Sequence, residues 1–209
     1  MGYLPIYVEM NGRPCLVVGG GTVAERKIAA LLENGTEVTV VSPEVTDNVA
    51  RWSKQGLLKL LARRYRAGDT VGFNIVFAAT DDPDLNEAVY RECQNGGTLI
   101  NSADDPDRCD FILPSVLRRG DLTVAVSTGG QSPALARTIR EELELYFTAE
   151  YEALVKLAAE VRAELHQRGI SLPFESWQKA LGGEVRQLLM RGDQAKARAM
   201  FLKDLNVQL

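Results

Sequence analysis

At 209 residues the chain is long enough for one large domain and a smaller one, and its 45% hydrophobic and 25% charged content is that of an ordinary soluble globular protein. A net charge of -4 and a pI near 5.2 argue against general nucleic-acid binding and leave only local basic patches to hold an anion. Three distant cysteines, Cys15, Cys93 and Cys109, with no C-x-x-C, form neither a disulfide framework nor a zinc site. The start of the chain has no signal-peptide pattern and no apolar run nears the roughly 20 residues of a membrane span, so a cytoplasmic protein is expected.

Residues 4–8 read as a short extended segment, and Asn11-Gly12 as a turn into the first strand. From Cys15 an apolar run stops at Gly19-Gly20-Gly21, and a helical pattern begins at once. Gly19 and Gly21 supply G-x-G, and Ala24 stands at the last position of G-x-G-x-x-G/A. The first glycine permits a tight turn, the second lets backbone approach a pyrophosphate, and the small third residue lets helix pack on strand. The helix N-terminus adds free N–H groups and a partial positive charge. Gly19, Gly20, Gly21, Thr22 and Val23 are therefore candidate cofactor contacts, against the plain alternative of a bare glycine-rich turn.

Asn34-Gly35 ends the first helix, and residues 37–42 form the second strand. An acid that binds the ribose is expected at the end of that strand. The sequence places Ser42-Pro43-Glu44 there instead, with Glu44 or the Ser42 hydroxyl as candidates, and this leaves the choice between NAD and NADP open. A helix over 45–54, a strand over 57–62 with Arg63-Arg64-Tyr65-Arg66 just beyond it, and a buried central strand over 74–79 follow. That strand ends at Thr80-Asp81-Asp82-Pro83; Thr80 and Asp81 should border the cofactor, while Asp82 caps the next helix, over 85–93. A strand over 98–101 completes a doubly wound α/β pattern.

The pattern then changes. An acidic loop over 102–110 leads to extended stretches at 111–114 and 122–127, read together as a β-hairpin. Thr128-Gly129-Gly130-Gln131-Ser132-Pro133 is a second glycine turn opening a helix over 134–147, which carries Arg137 and Arg140. This is either an anion site or a capped helix with a solvated basic face. Helical spacing continues from Tyr151, with breaks at Gly169, Gly182-Gly183 and Gly192-Asp193, as a small all-helical tail. His166, the single histidine, reads as an exposed residue near a helix end. The expected domains are a Rossmann-like domain over 1–113, a dimerisation segment over 114–148 and a helical domain over 149–209.

Four stretches carry a more specific signal: Leu4-Pro5-Ile6 with residues 15–27; Ala78-Ala79-Thr80-Asp81-Asp82; Asn101 through Asp104 to Phe111-Ile112-Leu113-Pro114-Ser115; and residues 124–137. In this order and spacing the chain resembles the N-terminal module of siroheme synthase, the precorrin-2 dehydrogenase/sirohydrochlorin ferrochelatase family, in its stand-alone form. The resemblance implies NAD-dependent oxidation of precorrin-2 to sirohydrochlorin, followed in many members by insertion of substrate Fe2+ to give siroheme. It implies that Asp104 is the catalytic carboxylate, taking up a proton released on ring oxidation or displaced by iron. Asn101 joins the expected cofactor contacts. The tetrapyrrole's carboxylates are expected to meet Ser127, Thr128, Gly129, Gly130, Ser132, Arg118 and Arg137, with Arg119 and Arg140 as further candidates. No His/Cys cluster offers a resident metal site. A homodimer through the hairpin and following helix is implied, with no nucleic-acid or membrane partner. Two other functions fit the glycine turn alone: a nicotinamide-sensing module without chemistry, and an NAD(P)-linked reductase of another small molecule.

Overall fold

The computed structural model describes residues 2–103 and 105–208; Asp104 lies outside them. The chain divides into two compact units at Leu113/Pro114.

The first unit is built on a five-stranded sheet in the order β3-β2-β1-β4-β5, every neighbouring pair parallel. Its strands are β1 (Pro14–Val18), β2 (Glu37–Val41), β3 (Lys59–Leu61), β4 (Ile75–Ala78) and β5 (Leu99–Ser102), and the crossover helices are α1 (Thr22–Glu33), α2 (Asp47–Lys54) and α3 (Pro83–Gly96). β1 is central because both of its faces are apolar. Cys15 and Val17 pack with Ala24, Ile28, Val40, Val49 and Phe77. Leu16 and Val18 pack on the opposite face with Val41, Val76, Val89, Cys93 and Ile100. A strand so enclosed reads as a continuous apolar run, not an alternating one. The chain reverses its winding between β1 and β4, and a crevice opens at the carboxyl ends of these two strands.

Local chemistry sets the element ends. α2 begins at Asp47 and not at residue 45, because the Thr46 hydroxyl caps it by accepting from the Val49 N–H at 3.4 Å. α3 is longer than the apolar spacing predicts. The Asp82 carboxylate accepts from the N–H groups of Asp84 (3.0 Å) and Leu85 (3.1 Å), Pro83 occupies the first turn, and Gly97 closes the helix at φ +68°.

The second unit opens with an antiparallel pair, β6 (Ser115–Arg119) and β7 (Leu122–Val126), and the sequence expectation for the first of these strands is corrected. Residues 111–114 are not its first strand. The two-residue turn at Gly120-Asp121, with Gly120 at φ +55°, sets the register Arg119↔Leu122 through Ser115↔Val126. Pro114 has no N–H to donate to a ladder. Phe111 belongs to the first unit, where its ring meets Phe77 edge-on at 5.5 Å.

Behind the hairpin come α4 (Pro133–Tyr146), α5 (Glu150–Gln167), α6 (Phe174–Ala180), α7 (Gly183–Met190) and α8 (Gln194–Leu205). Leu154, Leu157, Val161 and Leu165 make one stripe of α5 and bury against Val185, Leu189, Ala197, Phe201 and Leu205. α8 runs to Leu205, which is buried in that core, and Asn206 caps it at φ +58°. The Arg119 guanidinium donates to the Phe147 carbonyl at 2.8 Å and ties the hairpin to the end of α4. Glu150 is buried and accepts from the Thr148 hydroxyl and from Arg186 at 3.2 Å. Burial alone would raise its pKa, but these donors outweigh it and hold the carboxyl low. The Arg186 guanidinium also lies over the Tyr151 ring at 4.4 Å. His166 is exposed in the last turn of α5. Among the described residues no helix is long and apolar enough to cross a membrane.

Candidate dinucleotide cleft

Three successive glycines make the turn from β1 to α1, and each lacks a side chain for a different reason. Gly19 stands at φ +114°, and a Cβ there would lie 2.1 Å from the Ala79 carbonyl oxygen at the end of β4. A Cβ on Gly20 would lie 2.3 Å from the Glu44 carbonyl oxygen and 2.9 Å from the Ser42 hydroxyl. These two glycines let the turn press against the ends of β4 and β2. Gly21 is unlike them: its backbone is extended (φ -77°, ψ -173°), which any residue adopts, and a Cβ would meet no atom within 4 Å. The fold makes no use of its missing side chain, whereas a ligand lying against the turn would.

Gly21 is also the N-cap of α1, and no side chain caps this helix. The end therefore presents backbone N–H groups and the positive end of the helix dipole. Glu25, an acid in the first turn, would repel an anion. It is held instead by the Thr46 hydroxyl and by the Asn48 amide at 2.7 Å, and these hydrogen bonds also keep its pKa low.

Around the turn lies a cleft of about 960 Å³, at the large end of the ~300–1,000 Å³ usual for ligand sites. Gly19, Gly20, Gly21, Thr22, Val23, Ser42, Pro43, Glu44, Thr80 and Asp81 all line it. At the end of β2, Ser42 is buried and its hydroxyl donates to the Glu44 carbonyl at 2.5 Å, while the Glu44 side chain is exposed. At the end of β4, buried Asn86 of α3 grips Thr80. Its Oδ1 accepts from the Thr80 hydroxyl at 2.8 Å, and its Nδ2 donates to the Thr80 carbonyl at 2.9 Å.

Sequence reasoning did not place Arg64, Tyr65, Val45, Thr46, Asp82 and Leu85 in this lining, where the structure has them. The available signal was the rule that strand ends face the crevice, applied to β3. Asn86 gives no sequence signal, because an asparagine inside a helix declares neither its burial nor its partner.

Asn101 stands apart from the cleft lining. Its side chain is buried, accepting from the Lys27 ammonium at 2.7 Å and donating to the Phe111 carbonyl at 3.0 Å. Lys27 lies 5.0 Å from the centre of the Phe77 ring. The Cys109 thiol donates to the carbonyls of Ser102 and Asp105, each at 3.2 Å. Burial pushes that thiol's pKa up.

In the second unit, the Thr128 hydroxyl accepts from the Ser132 N–H at 2.9 Å and donates to the Ser132 carbonyl at 3.0 Å. Ser127 Oγ accepts from the Gly129 N–H at 3.1 Å, and Gly129 and Gly130 have φ of +63° and +83°. Ser132 caps α4 by accepting from the Leu135 N–H at 3.2 Å. Arg137 pairs with Glu141 at 2.8 Å, and Arg140 pairs with Glu141 at 3.0 Å and with Glu144. Any anion these arginines take must compete with carboxylates of their own helix. Arg118 is exposed on β6. Among the described residues no group of three or more His, Cys, Asp or Glu side chains could hold a metal ion.

The parallel sheet, the glycine turn at its winding reversal and the uncapped helix over an open cleft define a dinucleotide-binding protein of the Rossmann class. A family model described as putative NAD(P)-binding matches residues 6–115, and a second, sirohaem biosynthesis protein central, matches residues 119–144. Siroheme synthase of Nitrosococcus oceani is 41% identical over 199 residues, covering 94% of this chain and 42% of the relative. Siroheme synthase of Methylococcus capsulatus is 37% identical over 206 residues, covering 97% of this chain and 43% of the relative. The chain thus spans about two fifths of the length of these relatives. A solved structure named SirC, precorrin-2 dehydrogenase, superposes with a TM-score of 0.73 at 25% identity, covering 98% of this chain and 99% of that one. The chain belongs to the NAD(P)-binding family formed by the N-terminal module of siroheme synthase.

Proposed function

We propose that the chain is an NAD-dependent precorrin-2 dehydrogenase that forms sirohydrochlorin. The observation that carries this reading is Gly21, a glycine the fold does not need, beside an uncapped helix in a cleft of dinucleotide size. The match along nearly the whole chain to a solved precorrin-2 dehydrogenase supports the choice of substrate.

Gly19, Gly20 and Gly21 bring backbone against the diphosphate, and the N–H groups at the start of α1 receive its charge. Glu44 is placed to accept from a ribose hydroxyl; the Ser42 hydroxyl, whose proton goes to the Glu44 carbonyl, has only its lone pairs left to accept with. Thr80, held by Asn86, gives the β4 end of the cleft a fixed polar edge. When bound, NAD+ accepts a hydride from the tetrapyrrole. The accompanying proton leaves to a base, which we assign to Asp104 on the family resemblance. Arg118, Arg137 and Arg140 of the second unit serve the substrate's carboxylates, together with Ser127, Thr128, Gly129, Gly130 and Ser132 of its glycine turn. We further propose a cytoplasmic homodimer joined through the β6–β7 hairpin and α4, whose Leu135 and Val116 are exposed.

Anaerobic incubation with precorrin-2 and NAD+ tests the reading. NADH and the sirohydrochlorin spectrum should appear together, and their absence sinks it. Insertion of Fe2+ into ready-made sirohydrochlorin, without NAD+, is a separate assay; siroheme formation adds the second activity, and its absence leaves a dehydrogenase alone. Asp104→Asn should keep NAD+ binding and lose turnover by about a hundredfold or more. Unchanged turnover removes Asp104 from the mechanism.

A further inference from the structure

The loop after β3 is fastened by side-chain hydrogen bonds and carries an arginine into the cleft lining. The Arg63 guanidinium turns inward and grips Asp69 with two hydrogen bonds, 2.7 and 2.8 Å, and the same group donates to the Arg64 carbonyl at 3.0 Å. Asp69 also accepts from the Arg66 N–H at 2.8 Å. From α3, Glu92 accepts from the N–H groups of Gly68 (3.0 Å) and Thr70 (3.1 Å) and from the Thr70 hydroxyl. Burial opposes the charge on Glu92, but these donors prevail and hold its carboxyl low, as Arg63 does for Asp69. Two ionised carboxylates therefore fasten the loop from both sides.

What the loop presents is Arg64, which is exposed, lines the cleft and makes no ion pair among the described residues. β3 is the neighbour of β2, paired Val41↔Leu61, with the Ser42 N–H donating to the Leu61 carbonyl at 3.2 Å. Arg64 thus rises beside the strand end over which the adenosine ribose of a dinucleotide lies. An acid directly at that strand end would repel a phosphate on the ribose 2′ position. Here the position is Ser42, whose hydroxyl is turned to the Glu44 carbonyl, and the Glu44 carboxylate lies two residues further on.

We propose that Arg64 is a specificity-determining residue that receives a 2′-phosphate, so that the cleft takes NADP(H) as well as NAD(H). Glu44 serves the free ribose hydroxyl, and Arg64 serves the phosphate. The proposal rests on the dinucleotide reading of the cleft, and the test separates the two.

Binding of NADH and of NADPH to the full chain is followed by nicotinamide fluorescence, without tetrapyrrole, at low and high salt. Both should bind wild type within about tenfold of each other, with NADPH the more salt-sensitive. Arg64→Ala should lower the NADPH/NADH affinity ratio about tenfold, Arg64→Lys should restore part of it, and Glu44→Gln should shift the ratio toward NADPH. Circular dichroism verifies the fold of each variant. Equal losses for both ligands in Arg64→Ala, or a wild type that binds NADH but not NADPH, overturn the role of Arg64 and leave the cofactor reading standing. A wild type that binds neither overturns both.

Discussion

Two glycine turns of the chain, the one that leads into α1 and the one that leads into α4, are built differently. In the first, at residues 19–21, a Cβ on Gly19 or Gly20 would strike backbone at 2.1 and 2.3 Å, and the helix that follows has no side-chain cap. In the second, Gly129 and Gly130 have open space around them, and the helix is capped by the Ser132 hydroxyl. At the second pair of glycines φ of +63° and +83° by itself disfavours a side chain. The first set serves close approach: two glycines toward the neighbouring strand ends, the third toward the cleft. A helix start that leaves its N–H groups free has forgone about 1 kcal/mol of capping, which is consistent with a ligand taking the cap's place.

Substitutions at the two turns should therefore separate in size and kind. Gly19→Ala should cost about 4 kcal/mol of unfolding free energy, roughly half from the clash with Ala79 and half from positive φ. A urea midpoint near that of wild type would show that the turn can relax. Gly21→Ala should leave the urea midpoint in place while weakening NADH binding about thirtyfold, near 2 kcal/mol, by putting a methyl where the diphosphate lies. Unaltered NADH affinity in that variant would remove the cleft as the dinucleotide site. Gly130→Ala should cost about 1–2 kcal/mol in stability through backbone strain alone, with NADH affinity preserved. Ser132→Ala, which removes the α4 cap, should lower stability by about 1 kcal/mol. A further loss of precorrin-2 affinity in Ser132→Ala would show that the second turn also meets substrate.

The doubly wound pattern was legible because its causes are local. The apolar runs at residues 15–18 and 75–78, the Asp82-Pro83 cap and the Gly97 stop each act within a few residues. G-x-G-x-x-A announced the cofactor class for the same reason: its residues lie within six positions of the chain, with Gly19 required by the turn and Gly21 left clear for a ligand. The hairpin was partly misplaced. Residues 111–114 have strand composition, but Pro114 and the turn at Gly120 set the ladder four residues later, and Phe77 claims Phe111.

What tertiary structure alone decided is which polar groups are already spent. Ser42 lines the cleft with its hydroxyl proton already given to the Glu44 carbonyl, so it has only its lone pairs left to offer a ligand. The Asn101 amide joins Lys27 to Phe111, residues far apart in sequence. Arg63 and Arg64 are identical in sequence, and only Asp69, folded back beneath the loop, makes one a strut and leaves the other at the cleft. Hydrophobic period and turn chemistry are properties of neighbours along the chain, so the sequence by itself determined the sheet, the glycine turn and the cofactor class. Hydrogen-bond partners are chosen across the fold, so the working surface of the cleft became visible only once the chain had closed.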